Sequence, residues 1–300
     1  MLVRGPCRAL SSQHADRYTI IWRPRRMSGD TVPLPDVGSR STGDIQAVAR
    51  TAQILALFGP SRPTLTVAQG ATLLGLNRTT TNRYFMSLVA AELLERCPDQ
   101  QASFQPSRLL YQLGAFALGR QQVTEIAPPV MRDLSADAHL TVAMALWGAG
   151  GPVVVHVEQH VTWGAAVTVR VGHQLASDAA QTQVFLAFHP DRFAIERLLG
   201  TVPGAQREDL NERAEQARAS GIGSTTTSAG VRILAAPVFG ARGLAATIAV
   251  IGTATALAPG SAAREESLLT AAAMRLTDLM GGTWPLPVPD AVAGPESGTA

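Results

Sequence analysis

The chain has 300 residues, of which 46% are hydrophobic and 16% are charged, so it is long enough for two domains and apolar enough to build packed cores. All 25 basic residues are arginines, and they outnumber acidic residues by 14 to 7 in residues 1–122 but not in residues 123–300, where the ratio is 11 to 16. Two cysteines exclude a disulfide framework, and no apolar run reaches the about 20 residues that span a bilayer. We expect a cytoplasmic protein without cofactor or metal, whose basic N-terminal part meets any polyanionic partner.

The first segment with a clear pattern is a helix. Residues 1–43 mix Arg, Pro, Ser and Gly without periodicity and are predicted to be disordered, and Met27 is a candidate second start. In "IQAVARTAQILALFG" apolar residues recur at a helical period, and Gly59–Pro60 ends that helix. These apolar residues are Ile45, Val48, Ala52, Leu55, Leu57 and Phe58.

The next two helices lie close together in the sequence. Thr66 is a natural N-cap for a second helix that ends at Gly75, and Asn77 caps a third helix that we expect to run to about Leu94. A short helix, a tight turn and a longer helix predict a helix-turn-helix.

A hairpin and a further helix follow. The turn residues in "CPDQQAS" predict a hairpin over residues 93–105, which would form a wing. The sequence "RLLYQLGAFALGRQQV" is typical of a helix. We therefore expect a winged helix-turn-helix over residues 44–106 and a linker helix over residues 107–122.

The second half interleaves strands and helices. Helices are predicted in "APPVMRDLSADA", where prolines open the helix, in "AAQTQVFLAFHPDRFAIERLLG" and in "AAREESLLTAAAMRLTDLMGG". Strands are predicted in "LTVAMALWGAGGPVVVHVEQH", in "WGAAVTVRVG" and in "RILAAPVFGARGLAATIAVIG", with Gly243 in a turn. This pattern predicts one α+β domain over residues 123–282, and residues 283–300 are predicted to be a disordered tail.

The third helix of the N-terminal domain has a face suited to nucleic acid. With Asn77 as N-cap, Thr81, Phe85 and Leu88 form an apolar stripe, and polar side chains fall opposite it. Arginine can pair with guanine, asparagine with adenine, and threonine with phosphate, so the pattern favours DNA over an ordinary solvated helix face, which stays the alternative. The candidate DNA-binding residues are Thr66, Asn77, Arg78, Thr79, Thr80, Asn82, Arg83 and Gln100.

These segments resemble the IclR family of bacterial transcriptional regulators. "AVARTAQILALFG", "LTVAQGATLLGLNRTTTNRYFMSLVAAELLER" and "LLYQLGAFAL" follow the order and spacing of that family's winged helix-turn-helix and linker helix. "VRVGHQLASDAAQTQVFLAF" and "SAGVRILAAPVFGARGLAATIAVIG" resemble the two best-marked segments of its C-terminal domain. The resemblance covers about residues 45–281. It implies a GAF-like C-terminal domain that binds a small-molecule effector, and a homo-oligomer, a dimer or a tetramer, on a pseudo-palindromic operator in double-stranded DNA.

The recognition helix departs from the family pattern at three positions. Asn77 stands where the family usually has a proline, and Thr81 and Asn82 replace its usual valine and histidine. Arg78 and Arg83 match its leading basic residue and its arginine. The resemblance therefore implies the same scaffold, with Asn82 as the residue expected to alter the operator sequence that is read.

The resemblance also implies the positions of an effector site. These include a loop and helix start, at Ala179, Ala180, Gln181 and Thr182, and the strand positions Val231, Ile233, Ala249 and Ile251. The segment is one residue short of the pattern, Thr182 and Gln183 replace a common glycine and a common basic residue, and the two last strand positions lack the common serines. We expect an apolar effector, an aromatic or short aliphatic acid, or else a degenerate site. Candidate polar contacts are His173, Asp178, Thr226 and Ser228.

Two enzyme interpretations have little support. His156, Glu158 and His160 would share one face of a strand, but no H-E-x-x-H pattern and no nearby thiolate accompany them, so polar strand residues are favoured over a metal site. "STTTSAG" lacks the G-x-S-x-G pattern of a hydrolase elbow.

The sequence therefore predicts a DNA-binding transcriptional regulator controlled by a small molecule, with no enzymatic activity. One alternative is a sensor or scaffold that dimerises through its winged helix without specific DNA binding. Another is a catalytic α+β domain with an appended winged helix.

Overall fold

The computed structural model describes residues 19–20, 45–160, 166–167, 169–258, 260 and 262–285. Two residues of the predicted N-terminal extension form a strand, β1 (Thr19–Ile20), which pairs in parallel with β7 (Ala166–Val167). The rest of residues 1–44, most of the predicted strand around β7 and the tail beyond residue 285 lie outside the described residues. No helix in the described ranges is long and apolar enough to cross a membrane.

The N-terminal elements build a small unit of three helices and three short strands. In chain order they are α1 (Gln46–Leu55), β2 (Leu65–Thr66), α2 (Val67–Leu74), α3 (Arg78–Ala90), β3 (Leu94–Cys97) and β4 (Gln100–Pro106). The three strands form an antiparallel sheet in the order β2-β4-β3. This matches the predicted helix-turn-helix with a wing.

Two details of this unit differ from the sequence prediction. The helix α3 ends at Ala90 instead of running to about Leu94, because Leu94 belongs to β3 and Glu92 turns the chain with a φ of 56°. In α1 the periodic residues Ile45 and Val48 are 68% and 65% exposed, whereas Gln53, Ile54 and Leu57 are buried. The apolar period of α1 therefore marks a solvent-facing stripe as well as the core contact.

The linker helix α4 (Arg108–Gly119) leads into α5 (Val123–Ala138). The prolines were predicted to open α5, but Pro128 and Pro129 lie inside it, a full turn after its start. The first turn of α5 precedes the prolines. It is anchored because Val123 and Ala127 are buried in the core, at 1% and 0% exposure. Packing therefore overrides the helix-start signal of the two prolines.

The C-terminal part is built on a five-stranded antiparallel sheet in the order β6-β5-β10-β9-β8. Its strands are β5 (Thr141–Gly148), β6 (Gly151–Glu158), β8 (Gly223–Thr226), β9 (Val231–Gly240) and β10 (Gly243–Thr253). One face packs against α5 and α9 (Ala263–Leu279), and this layer is the main hydrophobic core. The predicted α+β fold class is confirmed.

Three helices lie on the other side of this sheet. They are α6 (Ala180–Phe188), α7 (Arg192–Gly200) and α8 (Gly204–Ser220). One long helix was predicted where α6 and α7 stand, but Pro190 forces His189 into an extended conformation, and Asp191 caps α7 by accepting hydrogen bonds from the amides of Phe193 and Ala194 at 3.0 and 3.2 Å. The helix α8 and the strand β8 were not predicted.

Candidate functional site

Local hydrogen bonds and two glycines fix the ends of α2 and its approach to α3. Thr66 caps α2 through a capping box, in which its hydroxyl accepts the amide of Gln69 at 3.2 Å and the side chain of Gln69 accepts the amide of Thr66 at 2.8 Å. Gly75 ends α2 in the left-handed conformation, with φ 64°. Gly70 lets the helices approach, since a Cβ there would lie 2.7 Å from the ring of Phe85.

The inner face of α3 is anchored in the N-terminal core. Thr81, Phe85 and Leu88 are buried, at 0%, 0% and 4% exposure. The ring of Phe85 packs edge-on against Phe104 of the wing, with 5.1 Å between centroids. The hydroxyl of Thr81 donates to the carbonyl of Asn77 at 3.0 Å, so this polar side chain is satisfied inside the core. The predicted apolar stripe is confirmed.

The outer face of α3 carries the predicted polar residues. Arg78, Thr79, Asn82 and Arg83 are exposed, whereas Thr80 is half-buried. Neither arginine forms an ion pair with another described residue. The two guanidinium groups are therefore free to meet an anionic surface.

Asn77 acts first as a helix cap. Its Oδ1 accepts the amide of Thr80 at 2.7 Å, which fixes the start of α3. Its side chain is exposed, as is that of Gln100 in the wing, where Gln100 Oε1 accepts the hydroxyl of Ser103 at 3.2 Å. The half-buried Thr66 takes part in the cap of α2.

Arg96 is a further residue of this surface that the sequence analysis missed. It lies on β3, with its guanidinium 5.0 Å from the centre of the Phe104 ring and its Nη2 3.6 Å from the sulfur of Met86 on α3. It therefore joins the wing to the recognition helix while its side chain stays exposed. The sequence carries no signal for this role, because it does not show that an arginine on β3 packs on the ring of Phe104.

Cys97 closes the same strand and is inert. Burial, together with the nearby carboxylates of Glu95 and Asp99, raises the pKa of its thiol. The thiol therefore stays protonated and is a poor nucleophile.

The strand positions predicted for an effector share one face of the large sheet. Ala249 is buried against Ala180 of α6, and Val231 and Ile251 are buried in a second cluster beside it. Ile233 contacts both clusters. We call this set the α6-facing layer, defined as Ala143, Val154, Ala180, Val231, Ile233, Ala235, Ala249 and Ile251.

The polar residues at the start of α6 are turned inward. Gln181 is 3% exposed, and its amide nitrogen lies 3.1 Å from the hydroxyl of Thr247, 3.3 Å from the carbonyl of Thr247 and 3.4 Å from the carbonyl of Ala143. The hydroxyl of Thr182 donates to the carbonyl of Ala176 at 2.7 Å. Gln181 therefore fastens the helix to the sheet, and Thr182 fastens it to the loop that precedes it.

Gln183, which was not predicted to have a role, fastens the other side of α6. Its amide nitrogen donates to the carbonyl of Ser224 at 3.1 Å, and its Oε1 accepts the amide of Ser224 at the same distance. Gly223 allows this close approach, because a Cβ there would clash with the carbonyl oxygen of Ala180. These two hydrogen bonds to the backbone of Ser224 hold the helix α6 to β8.

Of the four predicted polar contacts, His173, Asp178 and Ser228 lie on loops, and Thr226 is the last residue of β8. Asp178, Thr226 and Ser228 are exposed, and His173 is half-buried. The carbonyl of His173 accepts the amide of Val154 at 2.9 Å, which lays its loop along β6. Burial lowers the pKa of His173, so its ring is held neutral.

His156 and Glu158 lie on β6, as predicted, but the strand ends at Glu158 and His160 lies beyond it. Nε2 of His156 is 2.9 Å from Oε1 of Glu158, and the ring of His160 lies 5.1 Å from that of His139. Within the described ranges no group of three or more histidine, cysteine or acidic residues could hold a metal ion.

The chain is similar to known proteins in both sequence and fold. Residues 47–98 match the IclR helix-turn-helix domain. No curated protein matches the chain. The IclR family transcriptional regulator of Brucella abortus aligns with a TM-score of 0.66 at 20% identity, over 83% of this chain and 98% of that one.

Two further structures have a similar fold. HmgR of Pseudomonas aeruginosa is 26% identical and aligns with a TM-score of 0.56, over 79% of this chain and 100% of that one. An IclR homolog of Microbacterium hydrocarbonoxydans, complexed with 4-hydroxybenzoate, is 19% identical and aligns with a TM-score of 0.60, over 77% and 98%. Residues 47–98 are therefore an IclR-type helix-turn-helix domain, and the chain has the α+β fold of IclR-family transcriptional regulators.

Proposed function

We propose that the protein is a sequence-specific DNA-binding regulator whose affinity for its operator is changed by a small organic acid bound in the C-terminal part. The observation that carries this proposal is the division of α3 into a core-anchored face and an outer face with two exposed arginines, neither of which pairs with a carboxylate in the described part of the chain. In a helix-turn-helix the second helix enters the major groove, where arginine and asparagine can bond to base edges. Catalysis has no part in this proposal.

The proposed DNA contacts divide by chemistry. Arg83 and Asn82, one turn into α3, are the proposed base readers. Arg78 and Thr79, in its first turn, are the proposed phosphate contacts, together with the free amides of the helix N-terminus. Gln100 at the wing tip would reach the backbone beside the groove. Such contacts position the protein, whereas base contacts specify the sequence.

Self-association follows from exposed apolar side chains on two helices. On α4, Tyr111, Leu113 and Phe116 are 59%, 51% and 64% exposed, and on α1 Ile45 and Val48 are exposed to a similar degree. Such apolar surfaces favour association with a second copy. A dimer would present two recognition helices to a pseudo-palindromic operator. We accordingly propose domains at 44–106 and 123–282, joined by the helix at 107–122.

The effector site proposed here is the α6-facing layer with its surrounding loops. The layer is apolar, and His173, Asp178, Thr226 and Ser228 supply polar groups near its rim. An aromatic or short aliphatic acid matches an apolar wall with few polar groups. One protein of similar fold was crystallised with 4-hydroxybenzoate, which supports the same class of ligand.

The test is a mobility-shift titration with the DNA upstream of the protein's own gene and with shuffled DNA of equal length. We expect a specific complex that weakens steeply as salt rises, because phosphate contacts release counterions. Equal affinity for both DNAs would contradict the regulator and favour the scaffold alternative.

The effector part has its own test. A thermal-shift screen with aromatic and short aliphatic acids should find a stabilising ligand, since a ligand at 100 times its Kd adds about 2.7 kcal/mol. That ligand should change the affinity for DNA, and DNA should change its affinity by the same factor. A ligand that stabilises the protein but leaves DNA binding unchanged would contradict effector control.

A further inference from the structure

A cavity lies at the C-terminal end of α6, whereas Ala180 of the α6-facing layer stands at the start of that helix. It is a half-open cavity of about 310 Å³ between the end of α6, the start of α7 and one residue of α8. Its apolar floor includes Leu186, Phe188 and Ile195. His189, Arg192 and Arg218 stand at its edge. An apolar wall with a few polar donors is the usual composition of a small-molecule site.

Both arginines of this cavity can offer charge to a ligand. Arg218 lies with its guanidinium 5.6 Å from the centre of the Phe188 ring, and its ion pair with Glu215, at 3.7 Å, is long and exposed. Arg192 is exposed and forms no ion pair within the described part of the chain. Since no carboxylate residue is among those that line the cavity, its charge is positive.

The orientation of His189 supplies a third donor. Its ring packs against Trp147, with 4.6 Å between centroids, which holds it in place. Its Nδ1 accepts the amide of Asp191 at 3.2 Å. With Nδ1 as an acceptor, the ring proton lies on Nε2, which is left to donate. Two guanidinium groups and the ring of His189 thus line the cavity beside its apolar floor.

We propose that this cavity binds a small organic carboxylate with an apolar body, of about the size of benzoate, as a site separate from the α6-facing layer. The carboxylate would pair with Arg192 and Arg218, and the ring would lie on Phe188 and Ile195. A guanidinium and a carboxylate form strong, charge-assisted hydrogen bonds. The residues that line the cavity and those that define the α6-facing layer do not overlap, although Phe188 of the cavity packs against the cluster that contains Ala180.

The helix α6 contributes residues to both sites, one at each of its ends. Ala180 at its start belongs to the α6-facing layer, while Phe188 at its end forms the floor of the cavity. Phe188 also packs edge-on against Phe239 at the end of β9, with 5.5 Å between centroids. A ligand in the cavity would therefore contact Phe188, whose ring packs against the end of a strand whose other residues line the first site.

Equilibrium dialysis of the full chain with labelled benzoate tests this proposal, with benzamide as a neutral probe of the same shape. The variant Arg192→Gln/Arg218→Gln removes both charges, and Arg132→Gln/Arg197→Gln removes two exposed charges elsewhere. We expect wild type and the control to bind one more benzoate per chain than the cavity variant, or to bind it roughly tenfold more tightly. Benzamide should bind to this site at least roughly tenfold more weakly than benzoate.

Four outcomes would overturn the proposal, and the first three concern binding itself. These are no benzoate bound at about 5 mM, equal benzoate binding by wild type and the cavity variant, and equal binding of benzoate and benzamide. Displacement of benzoate by an equal concentration of inorganic phosphate would also overturn it, because the apolar floor would then contribute nothing. None of these readouts involves DNA, so the regulator proposal stands or fails separately.

Discussion

The helices α3 and α6 are built from similar residues but turn them in opposite directions. In α3, Asn82 and Arg83 face solvent, and the polar residue turned inward, Thr81, bonds to its own helix. In α6, Gln181 and Gln183 face the sheet and bond to other elements. Outward polar groups are available to a partner. Inward polar groups instead form hydrogen bonds with backbone groups of neighbouring elements. Amino-acid composition alone therefore does not distinguish a helix that presents polar side chains to a partner from one that uses them to bond to its own sheet.

The largest expected effect comes from removing the anchor of α3. Phe85→Ala deletes a fully buried ring that packs against Phe104, and such changes cost about 3–5 kcal/mol. We expect the free energy of unfolding of the N-terminal unit to fall by that amount in urea titrations, and DNA binding to be lost with it. Phe193→Ala is the control, because that ring is 83% exposed. A loss below about 1 kcal/mol for Phe85→Ala would show that α3 is not anchored as described.

A smaller effect separates the two helices directly. Gln181→Ala leaves the hydroxyl of Thr247 and two carbonyl groups without this donor, so we expect a loss of about 1–3 kcal/mol in unfolding free energy. Asn82→Ala, on the outer face of α3, should change that free energy by no more than about 0.5 kcal/mol. Chemical denaturation of both variants measures the contrast. Equal costs would break the distinction between inward and outward polar residues.

The smallest expected effect concerns the start of α2. Thr66→Ala removes half of the capping box, which costs about 1 kcal/mol. Thr79→Ala, on the exposed side of α3, is the matched control and should leave the melting temperature unchanged. If the melting temperature of Thr66→Ala matched that of the control, the cap would contribute nothing to stability.

The N-terminal unit could be predicted in detail because its signals are local. Thr66, Gly75 and Asn77 mark helix ends through their own side chains or backbone freedom, and the stripe of Thr81, Phe85 and Leu88 follows a helical period. The end of α3 was missed, since no glycine marks it and Glu92 makes the turn instead.

The C-terminal part was harder to predict because its determinants are distant in sequence. The helix α8 buries only Leu210, Ala214 and Ala217, and two of these are small, so its apolar period is weak. The strand β8 is four residues long and polar, and it exists through pairing with β9.

The family resemblance implied the effector positions as walls of one pocket, but not the face of the sheet that the strand positions share. Sequence alone does not show that Gln181 and Gln183 point inward, because their partners, Thr247 and Ser224, lie 66 and 41 residues away. The cavity at the end of α6 was not foreseen for the same reason, since Arg218 comes from a helix that was not predicted.

The most direct test of the central claim measures the DNA affinity of Arg83→Ala. The DNA is the sequence that wild-type protein selects from a random library, compared with shuffled DNA at one salt concentration. We expect Arg83→Ala to lose about 1–3 kcal/mol of specific binding free energy while its affinity for shuffled DNA changes little, and Asn82→Ala to alter the selected sequence instead. The exposed Arg197→Ala should behave as wild type. An Arg83→Ala protein that keeps the wild-type preference would contradict base readout by the outer face of α3.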